Sequence, residues 1–179
     1  MNRINSKKDL QDFLEADRVR LKKNYKSPKL FSDDIWRFQI LLRKCEYYKN
    51  CRKDVFGKLI YKYWRYQLAR KSISLGFSIP LNCFGPGLCI KHYGTIVING
   101  NTTIGANCTI HVCVNIGSKP NELKSPIIGD DAYIAPGAKL YGDIVLGDNV
   151  FIGANAVVNK SFPDGNVTLV GIPAKPINA

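Results

Sequence analysis

Residues 127–158 read IIGDDAYIAPGAKLYGDIVLGDNVFIGANAVV, and within them Ile128, Ile134, Leu140, Leu146, Ile152 and Val158 stand six apart. The same spacing runs upstream through Ile116, Ile110, Ile104 and Ile98. A small or β-branched residue lies four places after most of these: Thr102, Cys108, Val114, Ala132, Ala138, Ile144, Val150 and Ala156. A period of six is neither the 3.6 of a helix nor the 2 of a plain strand. It is the mark of a parallel β-helix in which each hexad supplies one short strand and one corner, and three hexads complete a triangular coil. Successive coils stack at the strand spacing of about 4.8 Å, with the repeated aliphatic inside.

Two irregularities interrupt the pattern. Phe84, Ile90 and Ile96 keep the period in a phase shifted by two, which predicts a local adjustment near Val97 in the first coil. Between Ile116 and Ile128, the stretch Ser118-Lys-Pro-Asn-Glu-Leu-Lys-Ser-Pro126 lacks an inward aliphatic and reads as a loop extruded from the prism. Long loops on repeat solenoids favour the binding face.

Upstream of Gly76 the grammar is helical, with apolar residues at spacings of three and four and hardly any Gly or Pro. Ser27-Pro28 separates a polar first helix from Asp33–Asn50, where Ile35, Phe38, Leu41, Leu42 and Cys45 form a stripe. A further helix, about Phe56–Ser72, sets Leu59, Tyr63 and Tyr66 against Lys58, Lys62, Arg65 and Lys71. The chain divides accordingly into a small α-helical N-terminal segment (1–76), a mainly β prism (77–165) and a C-terminal tail (166–179).

Charge follows the same division. Residues 1–76 hold twenty Lys or Arg against eight Asp or Glu, whereas 77–179 hold six against six, so the whole net charge of +12 resides in the helical part. The plain reading is a solvated helical face with one stripe packed on the prism or on a neighbouring subunit. The functional reading is peripheral attachment to anionic lipid or glycan. No nucleic-acid motif accompanies the charge. The first twenty residues are charged throughout, and no stretch approaches eighteen uncharged apolar residues, so a soluble, cytoplasmic protein is expected. Six cysteines without a C-x-x-C pair fit reduced, mostly buried thiols.

The stretches Phe84-Gly-Pro-Gly-Leu-Cys-Ile-Lys-His-Tyr-Gly-Thr-Ile-Val-Ile-Asn99, Ile104-Gly-Ala-Asn-Cys108, Ile116-Gly117 and Val170-Gly-Ile-Pro-Ala-Lys-Pro176 resemble the hexapeptide acyltransferases. Within these the likeness is to the serine acetyltransferase-like branch, which includes enzymes acetylating bacterial surface polysaccharides. The resemblance implies a left-handed coil, a homotrimer, acetyl-CoA in the cleft between neighbouring prisms, and a histidine base where His92 stands. It implies no metal. Backbone near Gly117, Gly137, Ala138, Gly153 and Ala154 would meet the pantetheine arm, with Lys175 near the CoA phosphates. Lys175 is the last cation of the chain, and a phosphate needs one.

Chemistry agrees with a histidine, because a hydroxyl attacks a thioester poorly until a base takes its proton. The chain has two, His92 and His111, and His92 carries the resemblance. Its orienting partner stays open among a backbone carbonyl, Asn82, Glu122, Asp130 and Asp131. Serine acetyltransferases carry an acidic residue just before this histidine, another about fifteen places upstream, and an Arg-His pair in the extruded loop. Here those places hold Lys91, Phe77 and Lys124-Ser125, and no carboxylate lies between Asp54 and Glu122.

A sugar hydroxyl of a bacterial capsule, exopolysaccharide or lipopolysaccharide is therefore the expected acceptor, with free serine the alternative and a non-catalytic prism the second alternative. A γ-type carbonic anhydrase needs three histidines per zinc, and two histidines exclude its usual form. A sugar-nucleotide transferase would need a preceding nucleotide-binding α/β domain, for which residues 1–76 have neither length nor Gly-rich loop.

Overall fold

The computed structural model describes residues 3–177. Among the described residues three helices, α1 (Lys7–Arg20), α2 (Asp34–Cys51) and α3 (Val55–Leu75), precede fourteen short strands. Their ends are chemically marked. Ser6 accepts a hydrogen bond from the Asp9 amide at the start of α1, Asp54 does the same for Gly57 in α3, and Gly76 closes α3 in the left-handed conformation at φ 78°.

The strands stack into a three-sided prism. The first face orders β1 (Phe77–Ser78), β3 (Ile96–Ile98), β6 (Asn115–Gly117), β9 (Lys139–Tyr141) and β12 (Val157–Val158). The second holds β4 (Thr103–Ile104), β7 (Ile127–Ile128) and β10 (Val145–Leu146). The third runs β2 (Cys89–Ile90), β5 (Thr109–Ile110), β8 (Tyr133–Ile134), β11 (Phe151–Ile152) and β13 (Thr168–Val170), ending on β14 (Lys175–Ile177). Every pairing is parallel except β13 with β14.

All ten period-six aliphatics are at most 3% exposed, and the small residues four places on are buried beside them. The repeat is therefore an inward ladder, with like packed on like from coil to coil. The expected adjustment near Val97 lies inside β3, where Ile96 and Ile98 both point inward and Val97 outward, so the two phases meet within one strand. The stretch 118–126 forms no strand and leaves the prism at the corner between the first and second faces. Leu123 on it is 85% exposed, and Lys124 pairs with Asp143 at 2.7 Å.

A solenoid's first coil exposes unpaired backbone, which must be covered. Here α1 and α2 cover it with a buried polar cluster that the sequence reading did not anticipate. Arg43, fully buried, donates to Asp17 (2.9 and 3.2 Å), Glu46 (3.1 Å) and the carbonyls of Phe84 (3.0 Å) and Gly85 (2.7 Å). Asp17 also accepts from the Leu88 amide (2.8 Å), and the Gln39 side-chain amide donates to the Leu88 carbonyl (2.7 Å). Burial pushes the Glu46 carboxyl above its ordinary range against the pull of Arg43.

The prism runs past residue 165, because β13 adds a parallel strand to β11 and the tail then folds back as β14 to close that edge. In α3 the stripe Leu59, Tyr63 and Tyr66 faces outward. The helix packs instead through Leu68 and Leu75, with Tyr61 and Trp64 partly buried.

Candidate functional site

The chain passes from the third face to the first once per coil, and one prism edge thus gathers a corner from each level. At the top, Ile90 pairs with Ile110 and Val97 with Asn115, so the first coil uses two more residues at this edge than the second. Those extra residues hold Lys91, His92 and Tyr93 out from the prism, all three exposed. The corner is pinned by Gly94, whose amide donates to the Leu75 carbonyl (2.9 Å). At φ 125° a Cβ on Gly94 would meet Val112 at 2.5 Å, so only glycine fits.

One level down, His111 lies beneath His92 with ring centroids 6.0 Å apart. The ladder continues to Tyr133 at 5.2 Å, and Tyr133 stacks on Phe151 at 4.7 Å with planes 5° apart. His111 is half-buried, and its Nε2 is shielded without a hydrogen-bond partner among the described residues. Burial, then the charge of His92 and of Lys91, holds its pKa below 6.5. His92 is thus the exposed ring of the pair, and His111 is the half-buried ring under it.

Beneath the histidines the same edge carries Ala135-Pro-Gly-Ala138 and Gly153-Ala-Asn-Ala156. Ala154 is exposed and Gly137 partly so, which leaves a low surface along the edge. Ala138 is fully buried, its amide bonded to the Ala135 carbonyl and its carbonyl accepting from the Asn115 amide. Gly153 is buried too, its amide donating to the Leu169 carbonyl. Neither amide is open to a ligand. Lys175, exposed on β14, stands five ladder steps below β2, about 24 Å at the usual strand spacing.

Other expected site residues lie elsewhere. Gly117 ends β6 at the root of the loop, on the edge between the first and second faces. Asn82 also precedes the second face, and its side chain exchanges hydrogen bonds with Asn50 (2.8 and 3.2 Å), so it does not orient His92. Asp130 accepts from the Ala106 amide (2.6 Å) at the edge between the second and third faces, and Asp131 adjoins it. Phe77 is buried against Phe38 at 5.0 Å. Among the described residues no group of three or more His, Cys, Asp or Glu could hold a metal ion.

A cavity of about 320 Å³ adjoins the His92 corner, between the α1–α2 connection and the first coil. Lys91 and Tyr93, the neighbours of His92, line it together with Phe31, Ser32, Asp34 and Trp36. Sequence reading missed this cavity, because the connection from Leu21 to Asp33 carries no periodic signal.

A family model described as bacterial transferase hexapeptide (six repeats) matches residues 125–160. No curated protein matches the chain. Among solved structures, the serine acetyltransferase of Neisseria gonorrhoeae is similar at 23% identity over 97% of this chain and 70% of that one, with a TM-score of 0.71. The serine acetyltransferase of Brucella abortus strain S19, solved in complex with coenzyme A, is similar at 24% identity over 96% and 68%, with a TM-score of 0.70. A serine acetyltransferase in complex with cysteine shares 20% identity over 96% and 67%, with a TM-score of 0.71. At these identities the likeness shows the fold, a left-handed parallel β-helix preceded by helices.

Proposed function

We propose that this protein is an O-acetyltransferase that moves the acetyl group of acetyl-CoA to a sugar hydroxyl of a bacterial surface polysaccharide or its precursor, with His92 as general base. The observation that carries the reading is the single prism edge that presents exposed His92 at its head, the low surface of Gly137 and Ala154 below, and Lys175 near its foot. An extended ligand with a thioester at one end and phosphates at the other suits that order. The complex of the Brucella relative with coenzyme A supports it, as does the hexapeptide transferase match.

In this reading His92 takes the acceptor's hydroxyl proton as the oxygen attacks the thioester carbonyl. The C–S bond breaks, the CoA thiolate leaves with the proton carried by the imidazole, and an ester remains on the acceptor. His111, whose pKa burial and then the charges of His92 and Lys91 lower, supports the ring of His92 from below. The residues fit acetyl-CoA through Lys175 and the open edge at Ala154, while Gly117 would come from a neighbouring subunit, since it stands on another edge of its own prism. A homotrimer, which places one subunit's histidine edge against the next subunit's loop 118–126, completes such a cleft.

The acceptor is read from the cavity beside His92. Exposed Phe31 and Tyr93 offer aromatic faces to sugar C–H groups, and Ser32 and Asp34 offer hydrogen-bonding oxygens. Free serine is the second reading, favoured by the serine acetyltransferases among the structural neighbours. Against it stand Lys91 where an acidic residue is expected and buried Phe77 where another is expected.

The test is release of free CoA thiol from acetyl-CoA in the presence of serine or of a panel of sugars and glycans, with products identified by mass spectrometry. A sugar ester with little serine product supports the proposal. A serine kcat/KM of about 10⁴ M⁻¹s⁻¹ or more overturns the acceptor, and acceptor-independent silence overturns the enzyme.

A further inference from the structure

Helix α3 carries two apolar stripes where a surface helix needs one. The stripe described above, ending in Leu68 and Leu75, packs against the core. The other, Val55, Phe56, Leu59, Tyr63, Tyr66 and Ile73, is turned away from the protein, each residue at least 54% exposed. With 3.6 residues per turn these six fall within one arc of about 100°. Lys58, Lys62 and Arg65 flank that arc and Arg70 lies within it, while α3 contains no acidic residue. All four cations are exposed, and none has an ion-pair partner among the described residues.

We infer that this face of α3 docks on an anionic lipid bilayer, with its aromatic and aliphatic side chains in the headgroup boundary and its cations on lipid phosphates. An apolar stripe edged by unpaired cations is complementary to such a surface in both its apolar and its charged parts. Against a second copy of itself, the face would set cation against cation, which disfavours that occupant. No described helix is long and apolar enough to cross a membrane, so the contact is peripheral. Helix α3 ends where Leu75 bonds Gly94, two residues from His92, so a docked helix would hold the His92 corner beside the membrane.

The test is co-sedimentation of the full chain with vesicles of phosphatidylcholine alone and of phosphatidylcholine with about one-third phosphatidylglycerol, at low and high salt; it needs no turnover. Binding is expected to the anionic vesicles, weakened by salt. The double change Lys58→Ser with Lys62→Ser should weaken it about thirtyfold. Phe56→Ser with Leu59→Ser should weaken it at least as much, with circular dichroism unchanged because both sites are exposed. Failure to bind anionic vesicles, or equal binding to neutral ones, overturns the inference. So does loss of the oligomer in light scattering on Phe56→Ser with Leu59→Ser when vesicle binding is intact, which would make the face a subunit contact.

Discussion

Replacing His92 and His111 separately by alanine distinguishes a base from a supporting ring. His92 is exposed, with the His111 ring 6.0 Å away, so its removal should take away proton transfer and little stability. General-base loss is typically worth 10²–10⁴ in rate, about 3–5 kcal/mol of barrier. His111 is different, being held between His92 and Tyr133 at 6.0 and 5.2 Å with Nε2 shielded. What its removal costs is ring packing, about 0.5–1.5 kcal/mol, which corresponds to a rate loss of about two- to twelvefold. The assay is kcat from CoA thiol release, with acetyl-CoA affinity and oligomeric state followed alongside. His92→Ala should lower kcat at least about a hundredfold with CoA affinity kept, and His111→Ala about twelvefold at most. Proton NMR of the two imidazoles supplies the control: His111 should titrate below 6.5, and its midpoint should rise in His92→Gln as the neighbouring charge disappears. A dead His111→Ala beside a nearly active His92→Ala would refute the assignment.

Three further outcomes are expected. Lys175→Ala should raise the KM for acetyl-CoA several-fold while leaving kcat nearly unchanged, as loss of a phosphate contact distant from the reacting atoms requires; an unchanged KM removes Lys175 from the site. Arg43→Ala leaves Asp17 and Glu46 buried without their cation and should cost about 3–5 kcal/mol in denaturant unfolding; a cost below about 1 kcal/mol would mean that the cluster does not cap the prism. Although burial opposes it, Asp33 is held at about 2 by Lys23, the Lys29 amide and Tyr25. A carboxylate depressed below its unfolded value of 3.8 adds stability that is full above pH 4 and lost as pH falls toward 2, about 2 kcal/mol here. Asp33→Asn should remove that part of the acid dependence, and an unaltered acid limb would refute it.

The prism was legible in the chain because its period is enforced by geometry. Each coil must return to the same inward position, so Ile98 through Val158 display the repeat without regard to anything distant. The helical stretches were legible from apolar spacing and the scarcity of Gly and Pro before Gly76, whereas the capping contacts of Ser6 and Asp54 came from the structure. The motif singles out His92, and charge and motif together single out Lys175, for the roles proposed above.

The tertiary structure decided whatever depends on which elements meet. Arg43, Gln39 and Glu46 occur among ordinary polar residues of a helix, and only the unpaired edge of the first coil makes them buried caps. The orientation of α3 was likewise undetermined, because the helix has an apolar stripe on each side and the choice falls to the shape of the core it packs on. Asn82 lies ten residues before His92 in the chain yet on a different prism edge, while His111 and Tyr133, nineteen and forty-one residues after it, share its ladder. Sequence reports the period of a coil; which residues become neighbours depends on how coils stack and on what caps them.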